Sequence, residues 1–496
     1  MNSPSHPISR RKFATHTAAL VGVPLTASLW QPATAADDAA SSGPYQAMGT
    51  RAGEVSDTTA IVWTRLTKAP LRNNEGVIVP KSKGTNEVAK EKVASVEQLE
   101  GSCPGAPGKV RLRYSTQENL AEAVTTDWVE VTVENDFIHS FALKDLQPAT
   151  TYYYESQSTV IAGKASPYVF RGIFRTAPVA TAPTDILFTV MTCQGYPDRG
   201  HPDGHDIYPS MLALKPAFTC LTGDLVYYDN DAPAATTVAL ARYHWERMFS
   251  LPRLIDFNRA INTYWLKDDH DTLKNDAWPA MKNAGELSFA EGQRIFRQQA
   301  PLSDGPEYRT VRWGRDLQVW FTEGRNDRSP NTMVDGPDKT ILGAEQKAWL
   351  KRTLKESDTT WKVLVSPTPI VGPDRETGKS DNHSNKAFSH EGDELRSWFQ
   401  ANVPDHFFVI CGDRHWQYHS VHPETRVNEF SAGAASNEHA SGSPGENKAI
   451  HRFHRVQGGF LSATLQSSQQ TSQLTFRLHD VKGKVSYEST YEKALG

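Results

Sequence analysis

The stretch AFTCLTGDLVYY, residues 217–228, decides the fold of this chain. It begins with a nearly continuous apolar and β-branched run, which is typical of a strand that is buried on both faces of a parallel sheet. The run ends in Gly223 and Asp224, and glycine at that place lets the chain turn sharply and present the carboxylate at the sheet edge. The stretch therefore predicts a layered α/β domain with polar side chains at the carboxyl end of a central strand.

Similar runs recur on both sides of this stretch, and helical segments separate them. Leu342 to Leu354 is amphipathic, with its apolar side chains on one face and its charged ones elsewhere. Strands that alternate with helices indicate an α/β domain, which we place at residues 184–490. The tail after residue 484 is expected either to pack near the site or to form an edge strand. The predicted central strands are Ile186–Met191, Ala217–Leu221, Ile261–Leu266, Leu317–Phe321, Val363–Val365 and Phe407–Ile410.

Residues 44–176 carry several short strand patterns and no helical pattern of useful length. Short alternating strands separated by Gly, Pro and Asn turns predict a β-sandwich. The segment LQPATTYYY, residues 146–154, is similar to the end of fibronectin type III-like domains. A polar segment from Lys68 to Gly108, which contains Cys103, is expected to be an extended surface insertion.

The first 35 residues have the layout of an export signal. Arg10, Arg11 and Lys12 precede a moderately apolar stretch, and Ala33-Thr34-Ala35 offers a cleavage site. Paired arginines before a weakly apolar stretch resemble a twin-arginine (Tat) signal. We therefore expect export by the Tat machinery to the periplasm or the extracellular space.

Composition excludes several classes of protein. The chain has 496 residues and a formal charge of −4, whereas proteins that wrap nucleic acid usually present a basic face. Four cysteines in 496 residues do not make a disulfide scaffold. No apolar run reaches the roughly 18 residues that a membrane-spanning helix needs. We expect a monomer with no nucleic-acid partner and no permanent membrane anchor.

Side chains that bind metals or carry protons follow several of the predicted central strands. Reactive groups of α/β sheets collect on the loops after the carboxyl ends of the strands. A set with thiol, phenol, imidazole and carboxylate groups indicates a transition-metal site with a second, harder metal beside it. The groups are Cys193, Asp224, Tyr227, the run Asp268-Asp269-His270-Asp271 with Asn275, and Asp413 with His415.

Each of these residues alone also has a structural explanation. Asp224 could close a turn, Cys193 could fill the core, and the acidic run at 268–271 could be solvated. Their joint occurrence at successive strand ends favours the metal site. Cys220 and Cys411 lack such a context and are expected to be buried core thiols.

Two metals about 3.5–4 Å apart form a clamp for displacement at phosphorus, and arginine side chains can hold the remaining phosphate oxygens. Arg325 and Arg328 follow the strand at 317–321, and Arg414 lies between Asp413 and His415. Arg325 is the first choice for this role and Arg414 the second.

The order of these motifs resembles the alkaline phosphatase D (PhoD-like) metallophosphoesterase family, which is related to the purple acid phosphatases and the calcineurin-like phosphoesterases. The resemblance extends over the Tat signal, the N-terminal sandwich and the helix at 342–354, and so covers most of the chain. It implies an α/β (α+β) fold with a four-layer α/β/β/α core after a fibronectin III-like β-sandwich domain. The motifs are Cys193, Gly223-Asp224-x-x-Tyr227, Asp268-Asp269-His270-Asp271 with Asn275, and Gly412-Asp413-x-His415-Trp416.

The resemblance also implies roles for individual residues. Asp224 would bridge a ferric ion to a second ion, expected to be calcium, whose site Asn275 and Asp413 complete. Thiolate and phenolate ligands suit iron, whereas oxygen ligands suit calcium. The ferric ion would be held by Cys193, Asp224, Tyr227 and His415, and the residues expected to act in catalysis are Asp224, Asn275, His270, Arg325 and Arg414.

The sequence departs from the family pattern at several positions. Leu225 and Val226 separate Asp224 from Tyr227, and Lys274 stands where the family usually has a first asparagine. The usual Trp-Asp-Gly-Tyr region is replaced by residues 380–386, from which either Asp381 or His383 could reach the second metal. His270 is expected to act as the acid for the leaving group or to orient a ligand.

The leading hypothesis is an exported phosphatase that hydrolyses small phosphate monoesters, and also diesters, by attack of a metal-bound hydroxide. A second hypothesis is a phosphodiesterase that acts on lipid or polymer phosphodiesters in the manner of a phospholipase D. A third is a surface-binding protein without catalysis, against which the complete set of ligand residues argues.

Overall fold

The computed structural model describes residues 43–80, 95–162, 165–375 and 381–495. The predicted export signal, residues 1–35, lies outside the described residues. The helices are α1 Ile207–Ala213, α2 Val238–Phe249, α3 Pro252–Asn258, α4 Phe289–Gln299, α5 Ala344–Glu356 and α6 Ser389–Asn402. The strands are β1 Thr50–Gly53, β2 Ala60–Arg65, β3 Gly108–Ser115, β4 Val124–Thr125, β5 Val129–Val131, β6 Ile138–Leu143, β7 Thr151–Thr159, β8 Tyr168–Arg175, β9 Ile186–Met191, β10 Phe218–Thr222, β11 Asn262–Leu266, β12 Arg309–Trp313, β13 Leu317–Phe321, β14 Trp361–Ser366, β15 Phe407–Cys411, β16 Gln417–Val421, β17 Asn428–Ala432, β18 His451–Arg455, β19 Gly459–Ser467, β20 Thr471–Asp480 and β21 Val485–Ala494.

Two large sheets share the central core. One has nine strands in the order β21-β20-β19-β9-β10-β11-β1-β2-β6, and the other has seven in the order β12-β13-β14-β15-β17-β16-β18. Alternate side chains of each strand point to opposite faces, so one face of each sheet lines the same core. In that core Phe188 and Val190 of the first sheet join Val319 and Val363 of the second.

Helices cover the outer face of each sheet. Met191 and Leu221 point away from the shared core and pack with side chains of α1 to α4. Leu364 does the same in the second sheet, where it packs with α5 and α6. The layers are therefore helix, sheet, sheet and helix, which confirms the predicted four-layer core.

The N-terminal β-rich part is joined to this core through a strand pair. Strands β1, β2 and β6 pack against β3, β7 and β8 over a separate cluster that includes Val62, Phe141 and Leu112. Strand β1 also pairs in parallel with β11, where Gly53 lies opposite Thr263. One of the two sheets of the sandwich, formed by β1, β2 and β6, is therefore part of the nine-stranded sheet.

The described ends of the segment Lys68–Gly108 are largely exposed at residues 68–80, as expected of a surface insertion, but buried residues anchor both ends. Cys103 is buried, and its backbone N–H donates to Glu246 Oε2 of α2 at 2.8 Å. Arg72 is also buried, and its Nη1 donates to the Arg247 carbonyl oxygen at 3.1 Å. Polar residues of the insertion are thus used to hold it against α2.

Two further cysteines and the C-terminal segment belong to the sheets. Cys220 and Cys411 are buried and unpaired, as predicted. The C-terminal segment forms β21, an edge strand of the nine-stranded sheet. Across the described residues, every helix is too short or too polar to cross a membrane.

Candidate metal centre

The carboxyl ends of parallel strands from both sheets come together at one place. A Cβ on Gly412 would lie 2.4 Å from the Thr222 carbonyl oxygen, so β15 and β10 approach closely there because residue 412 is glycine. A Cβ on Gly223 would lie 2.6 Å from Asp268 Cβ, and Gly223 has a φ of +92° that favours glycine. These two glycines allow side chains from β10, β11 and β15 to meet.

Three residues of the centre adopt a left-handed backbone conformation. The φ angles are 53° at Cys193, 55° at Asp224 and 61° at Asp413. Residues other than glycine rarely adopt this region, and they keep it where the surrounding structure demands it. Each of the three strand ends therefore turns abruptly and directs its side chain into the centre.

The thiol and phenol side of the centre is built around Asp224. The Cys193 thiol donates to Asp224 Oδ2 at 3.4 Å, and the Tyr227 hydroxyl donates to the same oxygen at 3.2 Å. Ligand atoms of Cys193, Asp224 and His415 lie within 4.8 Å of one another. The structure therefore brings together four residues that the sequence predicted as one ligand set.

The other side of Asp224 is carboxylate-rich. Two further groups have ligand atoms within 4.8 Å of one another, Asp224 with Asp268 and Asp413, and Asp224 with Asp269 and His270. Asp224 Oδ1 and Asp268 Oδ2 are buried and accept no hydrogen bond from the described residues. Buried carboxylate oxygens normally have partners, so these atoms fit a site for cations.

The pKa values of the centre reflect the crowding of buried acids. Burial raises the pKa of Asp224 to about 7, and Asp269 and Asp271 add to the rise. Burial raises the pKa of Asp268 to about 8 and that of Asp271 also to about 8. The pKa values of the Cys193 thiol and the Tyr227 phenol lie well above their ordinary ranges, because of burial and then Asp224. Bound cations would offset this accumulated negative charge.

His270 and Asn275 are tied to a common carboxylate. His270 Nδ1 lies 2.6 Å from Asp229 Oδ1, and the Asn275 backbone N–H donates to Asp229 Oδ2 at 2.9 Å. Burial lowers the pKa of His270, but Asp229, Asp269 and Asp224 together raise it well above the usual value. Asn275 is exposed, in contrast to the buried carboxylates.

Arg325, the first choice for a phosphate clamp, is paired with carboxylates of the centre. Its Nε donates to Asp268 Oδ1 at 2.6 Å, and its Nη2 lies 3.7 Å from Asp269 Oδ1. Burial lowers its pKa, but these two carboxylates raise it. The guanidinium thus holds the acidic run after β11 in place.

Replacing Arg325 with glutamine should lower the free energy of unfolding of the metal-free protein by about 3–5 kcal/mol, because buried carboxylates lose their partner. Urea unfolding measures the change. The matched control is Arg294→Gln, which breaks an ion pair between half-exposed side chains and should change stability by less than about 1 kcal/mol. Equal shifts for the two variants would contradict the role given to Arg325.

Arg414 and the segment that replaces the usual family motif lie together. Arg414 Nη1 is 2.7 Å from Asp374 Oδ2, Nη2 is 3.5 Å from Asp381 Oδ2, and Nη2 also pairs with Asp413. His383 instead places Nε2 2.9 Å from Glu391 Oε2. Of the two residues left open, Asp381 is therefore the one beside Arg414 and Asp413.

Part of this centre lies beyond the predicted ligand set. Asp268 and Asp269 belong to the predicted metal-binding groups without an individual ligand role, although two carboxylates directly after a buried strand indicate ligands. His439 was not singled out at all. It lies after β17, and its ring centroid is 4.4 Å from that of His415.

The four-layer fold and the buried cluster of potential metal ligands fit a metal-dependent phosphoesterase. The family model of the PhoD-like phosphatases matches residues 188–494, and the model of their N-terminal domain matches residues 31–178. The chain therefore belongs to the PhoD-like phosphatase family and is a phosphatase.

Two solved structures share this fold. The structure of PhoD is 17% identical and has a TM-score of 0.69, and the match covers 91% of each chain. The purple acid phosphatase PPD1 from yellow lupin (Lupinus luteus) seeds is 12% identical and has a TM-score of 0.59, covering 89% of this chain and 73% of that chain. A search of the curated proteins gave no match.

Proposed function

We propose that this phosphatase hydrolyses small phosphate monoesters, with diesters as secondary substrates, after export from the cytoplasm. The observation that carries the proposal is that Asp224 belongs to all three groups of potential ligand atoms. A carboxylate shared in this way can join two cations, which is the arrangement that serves displacement at phosphorus.

The proposed metals are a ferric ion and a calcium ion. Soft and phenolic donors lie on one side of Asp224, which suits iron, and oxygen donors lie on the other, which suits calcium. The ferric ligands are Cys193, Asp224, Tyr227 and His415, and the calcium ligands are Asp224, Asp413 and Asn275, with Asp268 as a further carboxylate in reach. When bound, such a pair supplies Lewis acidity and lowers the pKa of coordinated water.

The chain's own residues position this chemistry. Arg325 fixes Asp268, and Asp229 orients His270 through Nδ1. One ring nitrogen of His270 lies within 4.8 Å of carboxylate oxygens of Asp224 and Asp269. Arg414 holds Asp413 by an ion pair. In the proposal, Arg325 and Arg414 therefore act on the substrate mainly through the carboxylates that they hold in place.

Export is proposed from the sequence alone. The arginine pair, the apolar stretch and the cleavage motif occur in the order of a Tat signal within residues 1–35. The Tat route suits a protein that folds around metals before it leaves the cytoplasm. We place the mature monomer in the periplasm or outside the cell.

The proposal predicts that the mature protein, loaded with iron and calcium, hydrolyses p-nitrophenyl phosphate faster than bis-p-nitrophenyl phosphate. Release of p-nitrophenol with each substrate, compared as kcat/KM, measures the preference. Loss of both activities after chelation and their return with the two metals serves as the control. Turnover of the diester alone would replace the monoesterase proposal with a phosphodiesterase.

A further inference from the structure

A carboxylate, an imidazole and a phenol form a row that leads from the protein surface to the centre. His439 Nδ1 lies 2.8 Å from Asp198 Oδ2, and His439 Nε2 lies 2.9 Å from the Tyr227 hydroxyl. The exposed fraction of the side chain falls from 38% at Asp198 to 15% at His439, and Tyr227 is buried. The row is contributed by loops that follow β9, β17 and β10.

Neighbouring residues leave space for the Asp198–His439 pair and pack against the His439 ring. A Cβ on Gly195 would lie 2.9 Å from Asp198 Oδ2 and 3.0 Å from His439 Nδ1, so glycine leaves room for the pair. The His439 ring also packs against Tyr227, with ring centroids 5.0 Å apart, and against His415, with centroids 4.4 Å apart. His439 thus contacts two of the proposed iron ligands at once.

Asp198 determines which nitrogen of His439 carries the proton. An ionised carboxylate only accepts hydrogen bonds, so Nδ1 must be the protonated nitrogen that donates to Asp198. In the neutral ring Nε2 is then an acceptor that faces the Tyr227 hydroxyl. Partners that fix the tautomer and orientation of a group near a metal in this way tune its ligands.

The Tyr227 hydroxyl has a single proton, and both Asp224 and His439 offer an acceptor for it. Asp224 Oδ2 lies at 3.2 Å and His439 Nε2 lies closer, at 2.9 Å. When the hydroxyl proton moves to His439 Nε2, the resulting imidazolium donates to the phenolate oxygen, and the hydrogen bond from Tyr227 to Asp224 Oδ2 is removed. The position of His439 therefore affects both the phenol and the shared carboxylate.

We infer that His439, oriented by Asp198, is a positioning residue that holds the Tyr227 oxygen in place as a ligand; this inference rests on the proposed iron site. His439 acts through Tyr227 and does not itself contact the phosphate ester. Removing such an outer partner of a ligand typically lowers metal affinity about 10- to 100-fold.

The test compares iron-loaded wild-type protein with His439→Ala and His439→Gln. A phenolate ligand gives ferric iron a visible charge-transfer band, and competition with a chelator measures iron affinity. We expect His439→Ala to shift or weaken the band and to lower iron affinity about 10- to 100-fold. Glutamine offers a polar group near the position of Nε2 and should preserve most of the band, and Asp198→Asn should change it in the same direction as alanine.

His201→Ala is the matched control, because His201 also faces an aspartate, Asp203, but on the exposed surface at 3.7 Å. It should leave the band and the affinity unchanged. A His439→Ala protein with the band and affinity of the wild type would overturn the inference.

If the centre does not hold a ferric ion with Tyr227 as a ligand, the visible spectra give a different result. The wild-type protein would then lack the band, or the band would survive Tyr227→Phe. Crystal structures of metal-free wild type and His439→Ala decide the inference in that case. A displaced Tyr227 side chain in the variant supports the inference, and an unmoved one overturns it.

Discussion

Replacing Asp224 with asparagine should lower phosphatase activity by at least about 10³-fold. The side chain lies in all three groups of potential ligand atoms, so the change affects more than one cation. An amide carries no negative charge and offers only one oxygen, so it cannot join two cations as a carboxylate does. Metal ions contribute several kcal/mol of transition-state stabilisation, and each 1.36 kcal/mol corresponds to about tenfold in rate.

Elemental analysis of the purified variant, together with kcat/KM for p-nitrophenyl phosphate, measures this prediction. We expect the contents of both metals to fall together. The matched control is Asp316→Asn, which changes a buried carboxylate at the turn between β12 and β13, where it pairs with Arg315. Its activity and metal content should stay close to those of the wild type. An Asp224→Asn enzyme that keeps one full complement of metal and most of its activity would contradict the shared role.

Much of the centre could be predicted because its residues directly follow buried parallel strands. Cys193, Asp224 and Asp413 each come within two residues of such a strand, and parallel strands end at a common edge. The apolar runs identified those strands without any knowledge of their pairing. Local sequence therefore predicts that these three side chains lie at one edge of the sheets.

The rest of the centre depends on contacts that no local pattern carries. Strand β17 was not predicted because Glu429 interrupts its apolar pattern, yet this residue is fully buried. Its carboxylate accepts the backbone N–H groups of Ile370, Val371 and Gly372 at 2.6, 2.9 and 2.7 Å. Because the partners of Glu429 lie in a loop that is distant in sequence, the local pattern does not predict a buried strand here. The pattern therefore gives no reason to single out His439, which follows this strand.

The arginines show a second limit of sequence reasoning. Arg325 and Arg414 have the right chemistry for phosphate, and both lie after central strands. The structure pairs each of them with carboxylates, Asp268 for Arg325 and Asp374 for Arg414. An arginine near a cluster of acids serves either the substrate or the acids, and only the three-dimensional arrangement separates the two roles.

Removing the metals should make the stability of the protein fall as pH rises between about 6.5 and 8.5. In the folded metal-free protein burial raises the pKa of Asp224 to about 7 and those of Asp268 and Asp271 to about 8, whereas the unfolded chain has lost these protons by about pH 5. The folded state then binds more protons than the unfolded state. Its stability decreases by about 1.4 kcal/mol per pH unit for each proton difference.

The histidines do not reverse this decrease in stability between about pH 6.5 and 8.5. Burial lowers the pKa of His205 to about 3 and that of His244 well below its usual value, so both affect stability only below about pH 6.5. The pKa of His270, which burial lowers and Asp229 raises, lies above its usual value. Its extra folded-state proton adds to the decrease in stability.

Urea unfolding at three pH values, with and without the metals, measures the effect. Glu246 lies outside the centre and has a pKa that burial raises to about 7, so it adds the same slope to both forms. The difference between the two curves therefore isolates the centre. Metal-free Asp224→Asn lacks one of the titrating carboxyls and should show a flatter curve than the metal-free wild type. Parallel curves for the loaded and metal-free wild type would contradict the prediction, because cations that bind these carboxylates must displace their protons.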